Sequence, residues 1–222
     1  MYPDGGSSLL FHFAQNEHRG AWFSVTQSIA RVVFAGEIDS FGVRFFPGGA
    51  HALLGIELTD LVDNRCALVD LELPGWETLF SAMESVSNAR RVTLLEDWLS
   101  LCARGRKESG PVQKLWPSLR RSETDIDEDL RNSGISRRRF ERLFRQQTGM
   151  APNKFKMLWR IKRARYLIKT QPLLPLIEVA LQCGYFDQAH FNHQFLAVVG
   201  LTPGQYRNRQ LQRIESQEMV IR

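Results

Sequence analysis

Two short strings, GMAP at 149–152 and GLTP at 200–203, set the tightest limit on how this chain can fold. Glycine closes a helix in the left-handed conformation at least cost, and proline is tolerated in a helix's first turn but not in its interior. Each string therefore marks one helix ending and another beginning. The residues ahead of the two strings also match. A helix over 124–132 runs to Gly134, and a second opens at the N-cap Ser136, carrying Phe140, Leu143 and Phe144 on one stripe. In the second copy Pro175 falls in the first turn of a helix whose Leu176, Val179, Ala180 and Cys183 face one way. Gly184 then supplies the turn, and Asp187 is the N-cap of a helix in which Phe191 and Phe195 pair at i, i+4. A helix, a tight turn and a helix thus occur twice, and this part of the chain reads as all-α.

The front of the chain reads differently. LLFHF, WFSV, RVVFAG and FGVRFF are short aromatic and β-branched runs set between turn-forming residues, which predicts a small sheet. Helices are expected over 50–56, after PGG, and over 88–103, where Val92, Leu95, Leu99 and Cys102 recur at helical spacing. The fold class is α+β. GRKESGP at 105–111 has a linker's composition, so the division is a β-rich domain over 1–105, a linker over 106–111 and a helical domain over 112–222.

Charge divides at the same place. Residues 1–110 hold 9 Lys/Arg against 14 Asp/Glu, net −5, and residues 111–222 hold 20 against 10, net +10. Between positions 135 and 170 stand 12 basic residues and one acid, Glu141. A solvated helix face normally mixes both signs, so this concentration points to a phosphate-bearing partner, nucleic acid. No apolar run reaches the roughly 18 residues a membrane helix needs, and the N-terminus lacks the basic-then-apolar order of a signal peptide. The expected location is the cytoplasm. Cys66, Cys102 and Cys183 form no CxxC pair and read as reduced thiols.

GYFDQAHFNHQF at 184–195 places His190 and His193 on one helix face, as metal ligands would be placed. A metal site needs further ligands, yet His12, His18 and His51 all lie in the first domain, without HxH spacing. No metal, cofactor or catalytic residue is expected. The alternative is a metal-dependent enzyme in the small β domain, tethered to a nucleic-acid-binding domain. PGGA at 47–50 reads as a strand-to-helix turn, and Trp22, Phe34, Phe41 and Phe45 as core or as the lining of an effector pocket.

SRRRFERLFRQQTGMAPNKF and LIEVALQCGYFDQAHFNHQFLAVVGLTPGQYR resemble the two helix-turn-helix units of the AraC-type bacterial transcription regulators, over 112–209. The resemblance implies a sequence-specific regulator of activator type that reads two successive major grooves of duplex DNA with helices 136–148 and 187–199. A rigid helix over 153–169 joins them. The base-facing positions fall on Arg138, Glu141 and Arg142 in the first copy and on Gln188, Asn192 and His193 in the second. Arg can grip guanine, Gln and Asn adenine, and Glu can accept from cytosine. Ser136, at a helix N-terminus, is a natural phosphate seat, and Arg137, Arg139 and Arg145 are phosphate contacts or plain solubility charges. In the second copy His193 and Leu196 replace common basic residues, which shifts affinity toward the first. FGVRFFPGGAHALLG at 41–55 resembles the cupin-related sensor domain often joined to this family. RNA polymerase, a small-molecule effector at the first domain and a second copy of the chain are the further partners implied.

Overall fold

The computed structural model describes residues 3–14, 19–25, 38–106, 112, 115, 119 and 126–220. Its sheet is antiparallel, in the order β3-β1-β2-β4, with β1 Ser7–His12, β2 Gly20–Val25, β3 Ser40–Phe45 and β4 Arg65–Ala67. Registry fixes one face. Leu9 stands opposite Phe23 and Val43, and Phe11 opposite Ala21 and Phe41. Because side chains alternate across a strand, Leu9, Phe11, Phe23, Val25 and Phe45 all fall on the buried face. Helices α1 Gly49–Leu54, α2 Trp76–Met83 and α3 Asn88–Ala103 complete this core with Ala50, Leu54, Leu79, Met83, Leu95, Trp98 and Cys102.

Two expectations change here, and a third lies outside the described residues. The RVVFAG run at 31–36 and Phe34 lie outside the described residues, and the fourth strand of the sheet is β4, which three residues were too few to announce. Trp22 faces away from Phe23, under the Arg65 guanidinium at 3.9 Å, so it lines neither the core nor an inner pocket. The buried stripe of α3 is Arg91, Leu95, Trp98 and Cys102, whereas Val92 is exposed. Arg91 can be buried because its charge is answered. It makes two bonds to the Asp39 carboxylate, at 2.7 and 2.9 Å, donates to the Met83 carbonyl, and stacks 4.3 Å over Phe13.

The second core is built from helices alone. They are α4 Ile126–Ser133, α5 Arg137–Thr148, α6 Pro152–Thr170, α7 Leu176–Gln182, α8 Gln188–Val199 and α9 Pro203–Val220. Helix α6 is the spine. Its buried Phe155, Leu158, Ile161, Ala164, Leu167 and Ile168 meet Phe140 and Phe144 of α5 and Phe191 and Phe195 of α8 in one cluster. The repeat in the sequence is a repeat in space. Gly149 (φ 74°) and Gly200 (φ 73°) close α5 and α8 with N–H bonds to Arg145 and Leu196, and Pro152 and Pro203 open the helices that follow. Only glycine adopts that φ without strain. Pro175 stands one residue earlier than expected, as the N-cap of α7.

Candidate nucleic-acid interface

Each copy presents its second helix outward, anchored from below by aromatics. In the first, the Ser136 hydroxyl accepts from the Arg139 N–H at 3.4 Å and starts α5. Phe140 and Phe144 are buried with ring centroids 5.6 Å apart, and Phe144 meets Phe155 of α6 at 5.7 Å. With that stripe fixed, Arg137, Arg138, Arg139, Glu141, Arg142 and Arg145 are all exposed. Four of them, Arg138, Glu141, Arg142 and Arg145, line one continuous cleft, as i, i+3, i+4, i+7 spacing requires. Glu141 accepts from Arg137 at 3.3 Å. An exposed i, i+4 pair of this kind is worth about 0.3–0.5 kcal/mol, weak enough for either partner to leave it for a base or a phosphate.

In the second copy, the Asp187 carboxylate accepts from the His190 N–H at 2.7 Å, the N-cap expected of it. Phe191 and Phe195 are fully buried, edge to face at 5.5 Å, and Tyr206 of α9 extends the row at a further 5.5 Å. The two histidines separate in role. His190 belongs to a chain in which Tyr185 donates to Gln194 Oε1 at 3.0 Å and the Gln194 amide donates to His190 Nε2 at 2.8 Å. The Tyr185 hydroxyl, pushed up to about 12 by burial, stays a neutral donor, and burial likewise pushes the Cys183 thiol beneath it up to about 11. His193 is exposed, Gln188 half-buried, and Asn192 half-buried with its Oδ1 covered and lacking a hydrogen-bond partner. Sequence reasoning missed the Tyr185–Gln194–His190 chain. An i, i+4 pair of His and Gln is the signal that could have found it.

Not all the positive charge is free. Arg160 lies 5.6 Å over Tyr185, Arg165 5.8 Å over Tyr206 and Lys162 5.1 Å over Trp159, so part of α6's charge packs against aromatic faces. Among the described residues no three His, Cys, Asp or Glu side chains converge as metal ligands would. In the first domain His12 bonds Ser40 and His51 bonds the Ile56 carbonyl, while His18 lies outside the described residues.

Residues 131–209 match a family profile described as a helix-turn-helix domain. Over 77 residues the chain is 40% identical to the HTH-type transcriptional activator RhaR of Klebsiella pneumoniae, covering 34% of this chain and 27% of that protein. Residues 131–209 form a helix-turn-helix domain. RhaR of Salmonella arizonae is 35% identical over 83 residues, 37% of this chain and 29% of its own. The chain thus spans less than a third of the length of these relatives. A solved AraC-type transcriptional regulator from Chromobacterium violaceum is 27% identical, with a TM-score of 0.42 over 45% of this chain and 91% of its own. Ahead of the helix-turn-helix domain, residues 1–67 match a profile described as a domain of unknown function, DUF6597. No helix among the described residues is long and apolar enough to cross a membrane.

Proposed function

We propose that the chain is a sequence-specific, DNA-binding transcription regulator of the activator type rather than an enzyme. It has a regulatory domain over 1–105, a linker over 106–111 and a DNA-binding domain over 112–222. The observation that carries this reading is the duplicated unit on one spine. Two capped helices with outward polar faces are held by the same aromatic anchors to a single helix of 19 residues. At 1.5 Å per residue that helix is about 28 Å long, matched to helices that must enter major grooves roughly 34 Å apart. In the first copy Arg138, Glu141 and Arg142 read bases while Ser136, Arg137 and Arg145 hold phosphates. In the second Gln188, Asn192 and His193 read bases. The RhaR relatives are named transcriptional activators, which supports RNA polymerase as the partner contacted at the promoter. A small-molecule effector at the first domain and a second copy of the chain complete the proposed partners.

The test is binding of the full chain to mixed-sequence duplex at rising salt. Neutralising phosphates releases counterions, so affinity falls by a factor on the order of 10³ between 50 and 200 mM salt if about six phosphates are contacted. An affinity that does not change over that range refutes the phosphate contacts and the reading with them.

A further inference from the structure

Part of the outward face of α5 fronts the first domain. Leu58, buried in the first core, donates its N–H to the Gln146 carbonyl at 2.8 Å, and the Gln146 side-chain amide reaches Glu57 Oε1 at 3.4 Å. At the end of the helix the fit is close. A Cβ on Gly149 would come within 2.7 Å of Val62 and 2.8 Å of the Leu58 carbonyl oxygen. Lys162 of α6 stands 3.7 Å from the Asp4 carboxylate. The first domain's segment 57–62 is therefore seated along the last turns of α5. Between them lies a cleft of about 450 Å³, with Arg138, Glu141, Arg142 and Arg145 on one wall and Glu57, Thr59 and Asp60 on the other.

That volume equals a cube roughly 8 Å on edge, within the range of about 300–1,000 Å³ that small-molecule pockets occupy. Duplex DNA needs far more. A helix reading base edges lies in a groove about 8.5 Å deep with a sugar-phosphate ridge along each flank, so several base pairs must fill the space before its base-facing side chains. Here the space ends on a protein wall carrying two carboxylates, which repel phosphate as well as obstruct it. Among the described residues the main packing partners of α8 are α6, α7 and α9, all elements of its own domain.

We propose that segment 57–62 is a built-in stop that keeps the first copy's reading helix off DNA, so that reading two grooves requires the first domain to lift from α5. The proposal rests on the DNA-reading assignment above. In the closed chain only the second copy is accessible, and binding is confined to one groove. The Leu58 amide reports the state directly, because its hydrogen bond crosses the contact.

The experiment selects duplexes from a randomised pool with the full chain and with Val62→Asp, a change that places a charge against Gly149. Amide exchange of the full chain is then followed with and without the selected duplex. DNA should speed exchange in 57–62 at least tenfold while strands β1 and β2 stay protected, and Val62→Asp should bind the duplex about tenfold more tightly. A Glu57→Cys/Gln146→Cys pair, oxidised, should lose at least tenfold in affinity and regain it with reductant. Protection of Leu58 that persists in the DNA complex overturns the proposal, as does an oxidised pair that binds as well as the reduced one. If the cysteines do not oxidise, the exchange result decides alone. If neither the full chain nor Val62→Asp enriches any sequence, the DNA-reading assignment itself fails, and the stop falls with it.

Discussion

Phe195→Ala separates the anchor of α8 from its reading face. The ring is fully buried and touches Phe191 and Tyr206 edge to face, each at 5.5 Å, so truncation removes both contacts and leaves a cavity between α8 and α9. Two such pairs contribute about 0.5–1.5 kcal/mol each beyond area burial. Lost transfer energy and the cavity bring the whole to about 3–5 kcal/mol. Against a domain stability of about 5–15 kcal/mol this is a large fraction. At about 4–8 °C per kcal/mol for a domain of this size, the melting temperature of the second domain should fall by at least about 12 °C. His193→Ala, two residues away but exposed, should stay within about 0.5 kcal/mol of the parent and lose DNA affinity instead. The assay is thermal melting followed by far-ultraviolet circular dichroism, with duplex binding measured below the transition. A Phe195→Ala protein melting within about 4 °C of the parent would refute the anchoring, as would a His193→Ala protein melting as low as Phe195→Ala.

On the first copy, Arg138→Ala or Arg142→Ala should cost about 1–3 kcal/mol at a selected site and little on random duplex, whereas Arg145→Ala should weaken both alike. Equal losses on both DNAs for all three would make α5 a phosphate clamp. In the first domain, the hydrogen bonds from Arg91 hold the Asp39 carboxyl below the usual carboxylate range. The stability this adds is fully present above the unfolded value of about 3.9 and is lost as pH falls through the lower folded value. Asp39→Asn should therefore lower the melting temperature at pH 7 and shrink its drop on acidification below pH 4. An acid drop as large in Asp39→Asn as in the parent would exclude this pair as its source.

The second domain was legible because its signals are local. Ser136 and Asp187 cap within three residues, and Gly149 and Gly200 need only their own φ, so helix ends came out within a residue or two of their positions. The aromatic stripes of α5 and α8 followed from 3.6-residue spacing alone. The first domain was less legible because its decisive contacts are distant. Apolar periodicity chose Val92 for the α3 stripe, while the chain buries Arg91 because Asp39, 52 residues away, answers its charge. The cleft wall was hidden for the same reason. Glu57 and Asp60 lie about 80 residues from the arginines they face, and a spacing rule cannot pair residues across two domains. The net charges of opposite sign were the one trace of that pairing in the sequence.

The length of α6 has a consequence for how such a chain can change. Its single buried stripe serves both copies, so the angle between the two outward helices depends on the whole number of residues between Pro152 and Thr170. Inserting one residue would advance the second copy by only about 1.5 Å but turn it by about 100° around the spine, swinging α8 off the side of the molecule on which α5 stands. Seven residues nearly restore the phase, with a residual turn of about 20°, and add about 10.5 Å. That is close to three base-pair steps of about 3.4 Å. Three steps fall well short of the turn of about 10 to 10.5 base pairs that separates grooves on one face, so an insertion that restores the phase of α8 still carries it off its groove, and the length of the spine is held by the pitch of the duplex as well as by its own packing.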